Sequence, residues 1–518
     1  MGPSTSEKQS NTHLESIEQD GAATIVQIEA NPGGEAAMDV DKNVKVASDG
    51  HTVLVPQPSE DPHDPLNWPS WRKHAILLST GFFAFSMDFP VGAGISCVFL
   101  QSSEFGMTPV AINRANNYSV LLVGFGGFLL MPLVTSWGRV PLSFWSIVAG
   151  TFFTLGCALA QTWETYLAMK CLQAFALSTG LIAGLAFITD MFCLHERARK
   201  IGIWTAMWML APYLAPMLAN FIVTRTGNWR NVFWLIFAMN ALCILLVLAF
   251  FDETWYQRDV PMEEQPTRGP RLFRVVGIWQ LTHKKYFPNL WAGYRRLLAV
   301  FLCPVVLLVS VSTGITVMWV IGINQSSALL LSTPRTQGGY GFSKDALSYM
   351  YFAPIIGILV GGVVGRFVID LASNRYVRRH NGVYAPEARI PPVYFATFFM
   401  VPGLVLLGQA LAHRLSWVAI AAGWILYVVG GIMSTVATTA YLVDSYATAS
   451  AEISIILNFA RLIGGFTISY CQVDWGTKVG YNNSFGTQAG IVVFSTLIMA
   501  GLHIYGRKLR SVDGLINW

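Results

Sequence analysis

Asp88 and Lys170 are the residues from which chemistry could start. Asp88 lies inside the apolar run 75–99 and Lys170 inside the run 164–190. An ionisable side chain at that depth is costly unless it is paired or wetted. If the two meet, protonating the carboxylate frees the ammonium, and a cationic ligand competes for the same carboxylate; that is a proton switch. They could equally form a fixed ion pair that only holds two helices, or not meet at all. Arg461 lies in a third apolar run with Gly464 and Gly465 one turn on. It keeps its charge and needs a partner, either an anionic group or the polar boundary of the bilayer. Gln173, Asn240, Asn324 and Gln325 are uncharged groups that could orient a ligand or join helices. Phe85 and Trp208, with Phe82, Trp204 and Tyr213, could line a pocket for planar molecules or simply pack.

Helices must position these groups. Of the 518 residues, 53% are hydrophobic and only 12% charged, against about 25% charged in soluble domains. Such a chain has to put its apolar excess in lipid. Twelve apolar spans are expected near 75–99, 118–137, 141–160, 164–190, 201–223, 231–251, 298–322, 346–369, 391–412, 416–440, 451–471 and 487–506. Each is long enough to cross about 30 Å of hydrocarbon as a helix. They are too long and too continuously apolar for the strands of a barrel. The fold class is therefore all-α integral membrane, twelve transmembrane helices in two six-helix bundles. The expected organisation is a disordered tail over 1–60, which has no aromatic residue; a first bundle over 61–251; a basic central loop over 252–297; a second bundle over 298–506; and a tail over 507–518. Pro90, Pro132, Pro212, Pro216, Pro304 and Pro354 would bend their helices.

Several functions are excluded. The net charge of +5 forms no basic stripe, which argues against nucleic acid. There is no phosphate-binding GxxxxGK[ST], no HExxH and no GxSxG, and the 9 histidines are scattered. The 7 cysteines stand singly in apolar runs, as filler rather than ligands. The chain is read as no enzyme, with no cofactor and no metal.

With both termini inside, the inner connections hold most of the Lys and Arg, including Arg72, Lys73, Arg139, Arg197, Arg199, Lys200, Arg375, Arg378, Arg379 and Arg389. The outer loops hold Arg114, Arg225, Arg230, Arg335, Lys344, Arg414 and Lys478. This bias favours cytoplasmic termini. Sequons at Asn117 and Asn482 then fall near outer loops and are expected as glycosylation sites. Asp190 and Asp444 end spans four and ten at equivalent places, and Glu196, Arg197 and Arg199 follow Asp190. They are expected to form inner-gate salt bridges.

Eight segments then add up: LVPQPSEDPHDPLNWP at 54–69; PLVTSWGRVP with Gly138-Arg139; Lys170 to Ala174; TDMFCLHERARKIG; Ala211-Pro212-Tyr-Leu-Ala215-Pro216; Asn228-Trp229-Arg230; FDETWYQR; and Asp370 with Arg375 before NGVYAPEARIPP. Tyr441 to Tyr446 closes span ten. Over about 54–506 the chain resembles the major facilitator superfamily, and within it the fungal drug:proton antiporter-like branch with twelve spans. It departs from that pattern at Thr135, where an acidic residue is usual, and at Val140, where a second base is usual. Lys170 replaces an Arg and Ala174 a Gly, and Ala211 and Ala215 stand where the antiporter-type motif has glycines. The resemblance implies that spans one and four line a central cavity, bringing Asp88 to Lys170. It also implies a surviving latch between Asp370 and Arg375. It implies a monomeric, multi-pass plasma-membrane protein whose partners are the bilayer, protons and a small-molecule substrate. The implied function is proton-coupled efflux of a small organic compound (a toxin, a drug or an endogenous secondary metabolite) by alternating access. The alternative is proton-symport uptake of a small nutrient or polyamine. A non-transporting sensor is less supported.

Overall fold

The computed structural model describes residues 54–512, apart from 55, 259, 335–338, 381–384 and 447–448. The N-terminal tail as far as residue 53, the C-terminal tail beyond 512 and part of NGVYAPEARIPP lie outside the described residues.

Among the described residues, twelve helices are long and apolar enough to cross a membrane. Six run over Ser70–Phe105, Pro109–Ser136, Arg139–Leu159, Trp163–Met191, Arg199–Thr226 and Arg230–Phe250. Six more run over Pro304–Ser332, Lys344–Arg379, Pro386–His413, Trp417–Ser445, Ser450–Val479 and Tyr481–Arg510. An even number of these spans puts Ser70, where the first starts, and Arg510, where the last ends, at one face, here called the terminal face. Local chemistry sets the helix ends. Gly106 and Gly227 stop spans one and five with φ of 65° and 66°, a conformation glycine adopts without strain. The Thr108 and Thr162 hydroxyls accept from the Ala111 and Thr165 amides at 3.3 Å, capping spans two and four.

Two spans start well away from the sequence expectation, and spans eight and eleven end about ten and eight residues later than expected. Span seven begins at Pro304, not near 298, because Leu290–Phe301 forms a separate helix. The apolar residues of that amphipathic helix read as the start of the span, while Pro304 marks the true first turn. Span two begins about nine residues earlier than 118, since Asn113, Asn116 and Asn117 are buried inside it. The central segment is also more ordered than a loop: besides Leu290–Phe301 it carries helices over Arg271–Val276 and Ile278–Thr282.

The two halves meet along two seams. Span two packs on span eleven through Phe125 and Phe128 against Phe459, with ring centroids 5.2 and 5.0 Å apart. Span five meets the second half through Tyr213 on Trp424 and Phe221 on Tyr349. Toward the face opposite the termini, amides stitch the halves. Asn113 donates to the Gln325 carbonyl at 3.2 Å, Asn117 to the Ser469 carbonyl at 3.1 Å, and Asn324 to the Pro212 carbonyl at 3.1 Å. An amide inside lipid needs such partners. Asn117 is therefore a helix tie and not a glycosylation site: it is 2% exposed and its amide is engaged across the seam. Asn482 sits half-buried in the first turn of span twelve, with its sequon's Ser484 fully buried.

Candidate functional site

Between the halves, at mid-depth, lies a cavity of about 860 Å³ including its open mouth. Its walls are mostly branched aliphatic: Val91, Val120 and Val123 from the first half, and Val317, Val320, Ile321, Ile358, Val428 and Ile432 from the second. The polar lining is sparse and comprises Asp88, Trp208, Tyr213, Asn324, Gln325, Thr435 and Arg461. That mixture of apolar wall and few polar groups is what a small-molecule site looks like. Four of the sequence candidates, Asp88, Trp208, Asn324 and Gln325, therefore come together with Arg461.

Arg461 crosses from span eleven to the opposite half. Its Cζ sits 4.8 Å from the Trp208 ring centre, a cation–π contact, and its Nη2 donates to Asn458 Oδ1 at 2.8 Å. Its Nε is buried without a hydrogen-bond partner, as are Trp208 Nε1, Asn324 Oδ1 and Gln325 Oε1. Asp88 and Arg461 line the same cavity from opposite halves.

Lys170 is elsewhere, and the Asp88–Lys170 pair does not form. Lys170 is fully buried, donates to the Pro90 carbonyl at 2.6 Å and sits 5.1 Å from the Phe233 ring centre. Its partner is a backbone carbonyl in the same stretch of span one, not the carboxylate two residues away. Gln173 and Asn240 are also not cavity residues. Both donate to the Thr154 hydroxyl, at 2.5 and 3.1 Å, and Asn240 accepts from Ser86 at 2.9 Å, making a buried polar knot within the first half. Phe85 stacks with Phe82 and Phe89 and does not line the cavity.

The motif Ala211-Pro212-Tyr-Leu-Ala215-Pro216 positions the cavity wall. Pro216 has no N–H, so the carbonyl of Pro212 one turn earlier loses its helical donor. Asn324 of the other half supplies one. Gly92 of span one lies against this stretch: a Cβ there would meet the Pro212 carbonyl at 3.0 Å and Ala215 Cβ at 3.1 Å. The small residues thus let spans one and five approach closely.

At the terminal face, charges pair within each half. Arg139 opens span three and grips Asp190, near the end of span four, through Nε at 2.8 Å and Nη2 at 3.1 Å. Thr254 adds 2.6 Å to the same carboxylate. In the second half Arg389, in the first turn of span nine, meets Asp444, at the end of span ten, at 3.0 Å. The two pairs occupy equivalent places, as the positions of Asp190 and Asp444 suggested. Neither bridges the two halves, and Arg197 donates to the Thr189 and Phe192 carbonyls instead of joining a gate carboxylate. The Asp370–Arg375 latch is not formed: Asp370 is exposed and faces Arg366 at 4.0 Å on its own helix, and Arg375 is exposed.

Several working residues had no assigned role in the sequence reading, although FDETWYQR and DPHDPLNWP flagged their neighbourhoods. Glu253 is fully buried and accepts the Arg139 and Val140 amides, capping span three. Gly138, at φ 107°, leaves the space that this carboxylate occupies. Arg258 holds Asp64 at 3.0 Å, and Arg72 and Arg274 hold Asp252 at 2.9 and 2.7 Å. Burial pushes the Asp64 carboxyl upward, but the hydrogen bonds from Arg258 and the Leu66 and Ser59 amides outweigh it and hold the group below its ordinary range. Burial acts likewise on Asp252, and Arg274, backed by Arg72, brings it below its ordinary range. A charge inside an otherwise apolar motif, followed by a helix start, is the signal that could have marked these caps.

Twelve spans in two sets of six, closed around one central cavity, define an integral-membrane transporter. The model of the Major Facilitator Superfamily matches residues 76–469, and the chain belongs to that family. Among fungal relatives, it is 25% identical over 465 residues to the efflux pump radE of Floropilus chiversii, covering 87% of this chain and 84% of the relative. It is 24% identical over 503 residues to the MFS-type transporter hepF of Aspergillus oryzae, covering 93% and 98%. Among solved structures, the proton:xylose symporter XylE superposes with a TM-score of 0.60 at 15% identity, covering 84% of this chain and 97% of that one. This last likeness concerns the fold.

Proposed function

We propose that the protein is a proton-coupled secondary active transporter that exports a small organic compound by alternating access. The observation that carries the reading is the central cavity, lined by apolar walls from both halves and by a single carboxylate, Asp88. A site shared by two halves is exposed to one side or the other as the halves rock. Asp88 is the group placed to exchange a proton in that site, and one proton moving down 100 mV supplies about 2.3 kcal/mol. The efflux direction draws support from the printed name of the relative radE. The bias of Lys and Arg toward the terminal face supports cytoplasmic termini in a plasma-membrane protein. The protein acts as a monomer in this reading, since each chain holds a complete cavity.

The test is flux in proteoliposomes under an imposed pH gradient, with a panel of planar apolar toxins, azoles, polyamines and organic anions. Movement of an apolar compound against the proton flow supports the reading. Movement of a polyamine or nutrient with the protons contradicts it.

A further inference from the structure

The polar lining of the cavity is arranged in two levels. Gly92 lies against Pro212. Asp88 and Trp208 each stand one turn nearer the terminal face than those contact points, and Arg461 lies on Trp208. Asp88, Trp208 and Arg461 therefore share one level. Asn324, bonded to the Pro212 carbonyl, and its neighbour Gln325 form a second level about one helical turn, ~6 Å, farther from the termini.

The two levels offer different chemistry. At the first, the Trp208 indole N–H and the Arg461 Nε–H are buried donors with no acceptor, and Trp208 is only 9% exposed. At the second, Asn324 Oδ1 and Gln325 Oε1 are buried acceptors with no donor. Buried polar atoms left unmatched are costly, so a ligand that matches both levels gains more than its apolar area. The rest of the lining is mostly valine and isoleucine with the Tyr213 ring, which suits a flat apolar body.

Charge narrows the class further. Among the lining residues are one carboxylate, Asp88, and one guanidinium, Arg461, whose charges cancel while Asp88 is ionised. A cationic cargo would face Arg461 and an anionic cargo Asp88, in surroundings of low dielectric where an unbalanced charge is expensive. This weighs against a polyamine.

We propose that the cavity takes flat, uncharged organic compounds with a hydrogen-bond acceptor, such as a ketone, at one end and a donor, such as a phenolic hydroxyl, about one ring system away. The acceptor meets Trp208 and Arg461; the donor meets Gln325 and Asn324. The inference rests on the reading of this cavity as the transport site.

The test measures binding and flux of four naphthalene probes with the purified full-length protein. They are 6-acetyl-2-naphthol, 2-acetylnaphthalene, 6-hydroxy-2-naphthoate and (6-hydroxy-2-naphthyl)methylammonium. The acetylnaphthol should bind tightest, about three- to tenfold tighter than acetylnaphthalene, which lacks the donor. Gln325→Leu should shrink that difference, weakening the acetylnaphthol more than the acetylnaphthalene, which has no donor to place there. Trp208→Phe keeps the ring but loses the N–H, and should weaken both ketones alike. A thermal unfolding midpoint of Gln325→Leu close to that of the wild type shows that the variant is folded. Tighter binding of either charged probe, or equal affinity of the two ketones in the wild type, overturns the inference. If a charged probe is preferred yet is exported against the proton flow, the transport reading stands and only the cargo class falls. If no probe binds, the cargo class falls, while the transport reading stands or falls by the flux panel.

Discussion

Arg139–Asp190 and Arg389–Asp444 stand at equivalent places in the two halves but should differ in energetic weight. In the first pair the side chains are 9% and 18% exposed, Arg139 makes one hydrogen bond and a second close ion contact, and Thr254 adds a hydrogen bond. Replacing Asp190 by Asn leaves the Arg139 guanidinium buried, with the Trp255 ring 4.8 Å away as compensation. Breaking a buried pair from one side costs about 3–5 kcal/mol, and the remaining ring contact puts Asp190→Asn near the lower end, about 3 kcal/mol. In the second pair the side chains are 25% and 27% exposed. Water and salt screen it, so Asp444→Asn should cost about 1 kcal/mol or less. The assay is equilibrium unfolding in detergent micelles, with a double-mutant cycle for each pair to isolate the coupling. A gap of about 2 kcal/mol between the two variants, shrinking little at high salt for the first pair, is expected. Equal costs, or a larger cost for Asp444→Asn, would refute the argument that burial and not position sets the strength.

Two further outcomes follow from the same reasoning. Lys170→Met removes a buried ammonium together with its one bond to the Pro90 carbonyl; because an apolar replacement of similar volume is near neutral or stabilising, stability should hold and proton coupling should survive, read by thermal unfolding and flux. Loss of coupling in that variant would reinstate Lys170 as a partner of Asp88. Asp64 and Asp252 have carboxyls held below their ordinary range, so the stability they contribute is complete above about pH 4 and is lost as the pH falls through their lower folded values. Asp64→Asn should flatten the acid limb of the stability profile, and an unchanged limb would show that the Arg258 contact carries no stability.

The fold was largely legible because lipid imposes long apolar helices, and the twelve runs stand out by composition alone. Two boundaries were misplaced for opposite reasons. Asn113 and Asn117 looked like a loop, yet they cross the seam between halves, where amides find carbonyl partners. The helix Leu290–Phe301 looked like membrane because one of its faces is apolar. At the site, depth along a span was readable and direction around it was not. Asp88 and Lys170 were both known to be buried, but their rotation about the helix axes decides whether they meet, and short apolar windows do not fix that angle. Asn240 and Asn324 looked alike in sequence; one closes a knot on Thr154 and the other reaches across to Pro212. The proline pair did carry a usable signal, since Pro216 frees the Pro212 carbonyl and something must donate to it.

The most direct measurement compares wild type and Asp88→Asn for flux of an exported compound in proteoliposomes, with and without a pH gradient. Asp88 is the carboxylate of the cavity. The account predicts that the wild type accumulates the compound against its gradient only when protons flow the other way, and that Asp88→Asn still binds and equilibrates it but no longer concentrates it. Gradient-driven accumulation that persists unchanged in Asp88→Asn would contradict the account at its centre.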